Sequence, residues 1–466
     1  MPESGYPKLG ADPCVLGPRG VGASRRRVLS SRAVMRASIP LTILLVLAGC
    51  ATTPIREDSA AMNKVAESYV KLVLAVGQHD ADYVDAYYGP PEWRREAEAR
   101  KRPLPEIRAE AETLIADLQA HPPQATDELL RLRHQYLLRQ LQSMVSRLDM
   151  LAGKKLTFDE ESQALYDAVA PRNDAAHFQG ILDQLETAVP GPGTLAQRVE
   201  AFRQQFVIPR DRLDAVFKAA IGECRRRTLQ HIELPPGESF EVEYVTNKSW
   251  SGYNWYKGGY HSLIQVNTDL PIFIDRAIDL ACHEGYPGHH VYNSLLEKNF
   301  VRDRGWPEFS VYALFSPQSL IAEGTANFGI EVAFPGGERT AFEREKLYPL
   351  VGLDPAKAAA YAEVQRLLQQ LNYAGNEAAR RYLDGEISRE DAAAWLVRYA
   401  LMSPERAAQR VRFMDQYRSY VINYNLGQDL VRQYIERRSG TADQPAKRWE
   451  EFKRLISSPR LPSGLK

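Results

Sequence analysis

The sequence has 466 residues, of which 44% are apolar and 25% are charged. That composition is typical of a globular protein with a large buried core. The formal net charge is zero at pH 7. Without a basic excess or a nucleic-acid-binding motif, the chain is not expected to bind nucleic acid.

A short apolar run over residues 39–47 follows five arginines that lie within residues 25–36. It is too short to span a bilayer comfortably and is typical of the apolar part of a signal peptide. Residues 47–50, Leu-Ala-Gly-Cys, resemble a bacterial lipobox, in which the cysteine is lipidated and becomes the new N-terminus. We therefore expect residues 1–49 to be a leader and Cys50 to anchor the mature chain to a membrane. An ordinary signal peptide with an incidental cysteine is the alternative.

The leader is long, and Met35-Arg36 would open a compact leader by itself, so residues 1–34 can come from a miscalled start codon. Residues 50–60 are expected to be the lipidated cysteine and a short polar tether. Ala51 does not resemble an inner-membrane retention signal, which favours the periplasmic face of the outer membrane.

Two of the four cysteines, Cys224 and Cys282, belong to the folded body. An oxidising periplasm permits a bridge between them. The sequence does not show that they are close in space, so two buried free thiols are the favoured interpretation.

Residues 61–235 are predicted to form an N-terminal helical region, because apolar residues recur there at three- and four-residue spacing. Proline and glycine break this pattern at residues 89–91, 121–123 and 190–193. The segment Tyr83–Trp93 is distinctive, but its residues indicate no particular chemistry.

Residues 236–335 are predicted to combine a small sheet with the helices that carry the candidate site. Phe240–Val245 alternates in polarity as a strand does, and Tyr260–Val266 is predicted to be a second strand. Helix resumes after Thr268-Asp269, with Pro271 in its first turn.

Residues 336–466 are predicted to form a C-terminal helical region. Ser388 with Asp391 resembles a capping box, and Ser403 is a cap followed by Pro404 at the first helical position. The pattern therefore predicts a mainly α fold with a small β-sheet.

The stretch His-Glu-Gly-Tyr-Pro-Gly-His-His at residues 283–290 carries the strongest chemical signal. Zinc hydrolases often use His-Glu-x-x-His, which places two imidazoles on one helix face. Here Pro287 stands where the second His would be. A carboxylate beside the attacking water takes its proton, while the metal lowers the pKa of that water. Glu284, directly after His283, suits this role as the base.

Two histidines compete to be the second ligand. On a regular helix, the residue seven positions after His283 lies on nearly the same face, which favours His290. Pro287 and Gly288 are expected to kink or widen the helix, which would bring His289 to the metal instead. The residues alone do not choose between them.

A third ligand is expected from a following helix, since catalytic zinc takes three protein ligands and keeps one position open. Glu323 is the candidate, because it lies among small residues, Ala322, Gly324 and Ala326, that allow another helix to approach closely. A carboxylate that only caps or solvates this helix is equally compatible with the spacing.

His-Glu-x-x-Pro-Gly-His-His, followed by Glu-Gly about 33 residues after its last His, resembles a bacterial family known as domain of unknown function 885. Members are similar to zinc peptidases that use two His and one Glu, and many are lipoproteins or secreted. Members often carry Glu-Gly-Trp-Ala where this chain has Thr325 in place of Trp. The resemblance covers residues from about 60 to the C-terminus and implies a large helical zinc-peptidase-like fold with its small β-sheet beside the active-site helix.

The resemblance implies a zinc site with His283, His289 and Glu323 as ligands and Glu284 as the base. In the family the first His after Pro-Gly is the constant one. His290 then becomes a residue that faces the substrate or supports the site.

A hydrolase also needs a hydrogen-bond donor for the carbonyl oxygen on which negative charge develops during the reaction. Tyr417, Tyr420 and Tyr424 are spaced to share one helix face, and family members are similar in having a tyrosine-containing segment near the C-terminus. Tyr424 is the candidate catalytic donor, Tyr420 a candidate substrate-binding residue, and Arg418 a candidate for binding a substrate carboxylate. Core or rim packing is the alternative for each tyrosine.

The strand Tyr260–Val266 precedes the metal helix, where zinc peptidases often bind the substrate backbone by strand addition. Gly258-Gly259 would allow a close approach. His261 would then point at the cleft, although a solvent-facing His on a structural strand is equally compatible.

The leading hypothesis is a zinc-dependent peptidase in the bacterial cell envelope that acts on peptide substrates. A non-peptide amide or ester hydrolase is the alternative among enzymes. A catalytically inactive, metal-binding scaffold lipoprotein is the alternative outside them. Glu284 favours an enzyme, because an inactive relative could lose the base while keeping the ligands.

Overall fold

Helices dominate the computed structural model, which describes residues 53–123 and 127–466. The predicted mainly α fold with small sheets is confirmed. The leader, residues 1–49, and the candidate anchor, Cys50, lie outside the described residues. In the part of the chain that is described, no helix combines the length and apolar character needed to cross a membrane.

The N-terminal region contributes eight helices. They are α1 (Thr53–Val76), α2 (Pro91–Arg100), α3 (Leu104–Ala120), α4 (Glu128–Leu151), α5 (Phe158–Tyr166), α6 (Ala175–Ala188), α7 (Leu195–Gln204) and α8 (Leu213–Leu229). Side-chain caps start several of them, as where Thr157 and Glu160 form a capping box at α5. α1 begins at Thr53, within the tether predicted over residues 50–60. Pro54 in its first turn fits a helix start.

Five strands form two small sheets. They are β1 (Val84–Tyr87), β2 (Ser239–Val245), β3 (Gly252–Gly258), β4 (His261–Asn267) and β5 (Val311–Ala313). β1 pairs with β5, and the larger sheet has the order β2-β4-β3. β4 runs parallel to β2 and antiparallel to β3. The predicted strand Tyr260–Val266 is therefore the central strand, and β3 forms the edge beside the candidate site.

Eleven further helices complete the chain. They are α9 (Asp275–Leu280), α10 (His289–Leu296), α11 (Pro317–Ala333), α12 (Glu338–Phe342), α13 (Tyr348–Val351), α14 (Ala358–Gln370), α15 (Tyr373–Leu383), α16 (Arg389–Tyr399), α17 (Pro404–Tyr417), α18 (Ile422–Glu436) and α19 (Pro445–Ile456). The predicted capping box of Ser388 with Asp391 and the cap of Ser403 before Pro404 are confirmed.

The central helix is α11, in which 14 of 17 residues are buried. A helix buried on nearly every side belongs to the core of a large protein. It packs along α18 and against the turn that carries His283. The described residues belong to one compact unit.

A buried disulfide joins Cys224 of α8 to Cys282, with the Cα atoms 5.7 Å apart. The favoured interpretation of two free thiols is therefore wrong. The two cysteines are 58 positions apart, and the chain between them folds back on itself in a way that sequence spacing does not reveal. The bond holds the residue before His283 against α8.

Candidate metal centre

The helix that carries His283 widens and breaks before the next histidines. After α9, residues Ala281–Gly285 form one π-helical turn, and α10 starts at His289. Single π turns of this kind are often found at functional sites. At Gly288 a Cβ atom would lie 1.9 Å from the backbone oxygen of His283, so only glycine fits the reversal. The break brings the ring of His289 beside that of His283.

Three potential ligand atoms converge at this break. His283 Nε2 lies 3.1 Å from His289 Nε2 and 3.2 Å from Glu323 Oε2, and His289 Nε2 lies 3.6 Å from the same oxygen. Tetrahedral zinc with bonds of about 2.0–2.1 Å holds its ligand atoms about 3.3 Å apart. The triangle formed by these three atoms therefore has the size that zinc requires.

Glu323 supplies a carboxylate whose inner oxygen needs a partner. Oε1 accepts a hydrogen bond of 2.8 Å from the Tyr420 hydroxyl. Oε2 is buried and makes no hydrogen bond of acceptable geometry with any described residue. A buried carboxylate oxygen that lies between two imidazole nitrogens without a hydrogen bond fits a cation, because a buried polar atom left without a partner is costly. The residues present therefore fit a zinc ion.

Glu284 stands beside this triangle. One of its carboxylate oxygens lies within 4.8 Å of a ring nitrogen of both His283 and His289. Glu323 is the better third ligand, because its distances to both nitrogens are shorter. The backbone oxygen of Glu284 accepts a hydrogen bond of 2.7 Å from Asn254 Nδ2, which fixes the π turn against β3. The Glu284 side chain is thus placed to act next to the metal position.

Asn327 orients the first histidine. Its Oδ1 lies 2.9 Å from His283 Nδ1, and its Nδ2 donates to the backbone oxygen of Tyr424 at 3.0 Å. Since Nδ2 is the donor to that backbone oxygen, Oδ1 is left to accept from His283 Nδ1–H. The lone pair of His283 Nε2 then faces the ligand triangle. Partners of this kind raise metal affinity in known sites.

The charges of the site are strongly coupled. Burial lowers the pKa of His289, but the adjacent Glu323 carboxylate outweighs burial and raises it to about 9. Burial raises the pKa of Glu323, but the adjacent imidazoles of His283 and His289 outweigh burial and hold it well below its usual range. A carboxylate that stays ionised at neutral pH suits a cation ligand.

The triangle opens onto a large cavity of about 1340 Å³. One wall is the β3 edge with Gly252, Tyr253 and Asn254, and other walls come from α11, α17 and α18. Asp85 of β1 also lines the cavity, where burial raises its pKa to about 6 against the opposing effect of a hydrogen bond from Tyr253.

No family model matches the chain, and no curated protein matches it. Solved structures resemble it at a distance. A protein assigned as a lipoprotein from Colwellia psychrerythraea has 15% identity and a TM-score of 0.47, covering 76% of this chain and 68% of that one. A lipoprotein of unknown function from Shewanella oneidensis has 13% identity and a TM-score of 0.44, covering 81% and 78%. An M32 carboxypeptidase from Deinococcus radiodurans R1 has 12% identity and a TM-score of 0.33, covering 87% and 90%. The functional conclusion rests on the geometry of the site.

His290 was expected to be catalytic, facing the substrate, or to support the site; it is not among the residues that line the cavity, which leaves the supporting role. Its buried ring lies between Ser262 Oγ, 2.9 Å from Nδ1, and Glu238 Oε2, 3.0 Å from Nε2. Glu238 also accepts hydrogen bonds from Tyr286 and Arg225. His290 therefore anchors the chain behind the ligand turn and has no access to substrate.

His261 and Arg418 are also placed away from the cavity, and the substrate-binding roles expected for them are corrected. His261 begins the central strand β4, with Nδ1 3.2 Å from Ser239 Oγ. Arg418 Nε donates to Glu161 Oε2 at 2.7 Å. A guanidinium already paired with a buried carboxylate is not free to bind a substrate carboxylate.

The three tyrosines line the cavity, although they do not share one helix. α17 ends at Tyr417, a 3₁₀ turn carries Tyr420, and Tyr424 lies on α18. Arg418 at the junction has φ of 52°, which breaks the helix. The Tyr420 hydroxyl donates to Glu323 Oε1, and its substrate-binding role stays a prediction. Tyr424 is half-buried and faces the cavity, where a catalytic donor is needed.

Sequence reasoning missed Asn327, Asp85 and Arg410, all of which line the cavity. Asn327 could have been found, because it follows Glu323 by four residues and so shares its helix face. Asp85 lies in the distinctive segment Tyr83–Trp93, whose sequence contained no recognisable metal or catalytic spacing. Arg410 lies in a helix rich in arginine, and no pattern separates it from its neighbours.

Proposed function

We propose that this chain is a zinc-dependent hydrolase that cleaves peptides. The observation that carries the proposal is the convergence of His283 Nε2, His289 Nε2 and Glu323 Oε2 to within 3.6 Å of one another. A carboxylate from Glu284 lies beside them, as the base of such a site must. Two imidazoles, one carboxylate ligand and an adjacent carboxylate base form the set that metal-assisted hydrolysis uses.

Zinc held by His283, His289 and Glu323 would lower the pKa of a water molecule and polarise the scissile carbonyl. Glu284 takes the proton from the attacking water and delivers it to the leaving amine. Tyr424 donates a hydrogen bond to the carbonyl oxygen as negative charge develops there. Burial raises the pKa of Tyr424 well above its usual value, so the hydroxyl keeps its proton at neutral pH.

The β3 edge favours peptides over other amides and esters. Gly252, Tyr253 and Asn254 line the cavity, and β3 pairs only with β4 within its sheet of described residues. Its outer backbone groups can therefore pair with an extended chain, as in strand addition. This role was expected for Tyr260–Val266, which is flanked by strands on both sides.

Metal analysis of purified protein tests the ligand assignment. The wild type is expected to hold one zinc per chain, and His289→Ala and Glu323→Ala are expected to lose it. Glu331→Ala is the matched control, because Glu331 lies on the same helix but pairs with Arg432 at the surface. Stoichiometric zinc that survives both ligand changes would refute the assignment.

Cleavage of a peptide library tests the reaction. Glu284→Gln is expected to retain zinc and to lose cleavage, because the amide cannot accept the proton of water. If Glu284→Gln cleaves as fast as the wild type, Glu284 is not the base. Cleavage of ester or non-peptide amide substrates alone would support the alternative hydrolase, and zinc binding without any hydrolysis would support an inactive metal-binding scaffold.

The location in the cell envelope remains a proposal that rests on residues 39–50. We infer that Cys50 carries lipid and places the protein at the periplasmic face of the outer membrane. Mass spectrometry of the N-terminal peptide tests this, since an acylated Cys50 is expected. Release of the Cys50→Ser protein from the membrane fraction would agree, and an unmodified Cys50 in the mature protein would exclude the anchor.

A further inference from the structure

One face of α17 lines the cavity that contains the candidate metal site. The residues on this face follow helical spacing; they are Arg406, Gln409, Arg410, Phe413 and Tyr417. Arg406 and Arg410 are one turn apart, about 6 Å along the helix axis. The face therefore brings two positive charges to the cavity wall.

Arg410 has no protein partner for its charge. Its guanidinium lies over the ring of Phe413, with Cζ 4.7 Å from the centroid, and near that of Tyr424 at 5.8 Å. None of the described residues makes a hydrogen bond or an ion pair with it at the distances that define such contacts elsewhere in the chain. Arg418 and Arg339, by contrast, each pair with a buried glutamate.

Arg410 is half-buried in the cavity wall, so its unpaired charge is partly removed from solvent. Burial lowers the pKa of Arg410, although Tyr424 and Glu323 act against that shift. A guanidinium nevertheless stays protonated in proteins. The charge of Glu323 is already committed to His283 and His289. Arg406 adds to the positive potential, since its guanidinium donates to the backbone oxygen of Pro271 and pairs with no carboxylate of the described residues.

We propose that Arg410 binds a carboxylate of the substrate within the metal cavity, so that preferred peptides carry a free carboxylate close to the cleaved bond. A guanidinium forms two parallel hydrogen bonds with a carboxylate, and aromatic rings on its face hold it in one plane. The inference rests on the proposed peptidase function. The carboxylate can be the chain terminus or an Asp or Glu side chain, which share this chemistry.

Binding to the zinc-loaded Glu284→Gln protein tests the inference without requiring turnover. Calorimetry would compare three peptides of otherwise identical sequence: one with a free C-terminal carboxylate and no acidic side chain, its C-terminal amide, and an amide that carries one Glu. At least one carboxylate-bearing peptide is expected to bind about 10- to 100-fold more tightly than the neutral amide. Tighter binding of the first peptide would identify the chain terminus as the source of the carboxylate. Tighter binding of the third would identify an acidic side chain.

Variants at position 410 assign the preference to this residue. Arg410→Gln in the same background is expected to abolish it, and Arg410→Lys to retain part of it, because the ammonium keeps the charge without the planar pair of donors. Arg412→Gln is the matched control, since Arg412 is exposed on the same helix. Zinc content and circular dichroism are measured on every variant, and Arg410→Lys serves if Arg410→Gln does not fold.

Two results would overturn the inference. In the first, the zinc-loaded Glu284→Gln protein binds all three peptides equally well or binds none of them. The other is a carboxylate preference that survives Arg410→Gln. Failure of the proposed function gives a different result, in which the wild type does not cleave these peptides while the preference in binding persists.

Discussion

Gly324 of α11 and Gly427 of α18 bring the backbones of these helices into direct contact. A Cβ atom at position 324 would lie 2.5 Å from the backbone carbon and oxygen of Gly427. Glu323 adjoins this contact on α11, and Tyr424 lies one turn before it on α18. The separation of the two helices therefore fixes the distance between a candidate metal ligand and the candidate donor.

Gly324→Ala is expected to lower the free energy of unfolding by about 1–3 kcal/mol, because the added methyl group pushes the helices apart. Zinc affinity should fall with it, since Glu323 moves. Chemical denaturation and zinc titration measure the two effects. Gly222→Ala on α8 is the control, because its Cβ would meet no atom within 4 Å and should stabilise by about 0.5–1 kcal/mol. A Gly324→Ala protein as stable as the control would show that the helices can separate without cost.

Asn327→Ala is expected to lower zinc affinity about 10- to 100-fold, because His283 loses the acceptor that fixes its ring. Asn327→Asp keeps an acceptor for His283 Nδ1–H and should retain most of the affinity. Competition with a chromogenic chelator measures both variants. Equal affinity in the wild type and Asn327→Ala would mean that the ligand turn alone orients the ring.

Zinc binding is expected to release a proton from His289. Its pKa of about 9 means that the metal-free imidazole is protonated at pH 7, whereas zinc takes only the neutral form. Apparent zinc affinity should therefore rise about tenfold per pH unit from pH 7 and level off above about pH 9. Calorimetry in buffers of different ionisation enthalpy should detect release of about one proton at pH 7. A constant affinity between pH 7 and 9 would contradict the raised pKa.

Gly252→Ala tests the placement of Glu284. A Cβ atom at position 252 would lie 2.6 Å from Leu280 Cδ2 and 3.0 Å from Glu284 Oε1, so the methyl group displaces the proposed base. We expect kcat to fall about 10- to 100-fold while zinc content is unchanged, since misplacing a catalytic group by about 1 Å has effects of this size. Ser251→Ala, at an exposed neighbouring position, should leave kcat unchanged. An unaffected kcat in Gly252→Ala would show that the base does not depend on this contact.

Local signals predicted much of the site. Pro287 and Gly288 indicated a broken helix, and the structure shows that this break brings His289 to His283 while it turns His290 toward Glu238. The small residues around Glu323 indicated a close helix approach, which Gly324 makes with α18. The helix break and the small-residue surface each depend on residues that are close together in the sequence, so local patterns can predict them.

Features that depend on distant parts of the chain were not predicted. The tyrosine spacing suggested one helix, but the left-handed conformation at Arg418 divides it, and Glu161, 257 residues away, pairs with that arginine. Whether an arginine is paired, as Arg418 is, or unpaired, as Arg410 is, depends on such long-range contacts. The edge position of β3 likewise depends on strand order, which local alternation does not specify.

The disulfide between Cys224 and Cys282 closes a covalent ring that contains β2, β3, β4 and α9. Within this ring, residues 246–248 form an exposed turn. A protease that cuts the turn would leave both fragments joined, so the nicked protein would separate into two pieces only after reduction. β3 and His283 both follow this turn in the chain, so the disulfide would keep the N-terminal fragment, which includes β2, joined to the fragment that carries them.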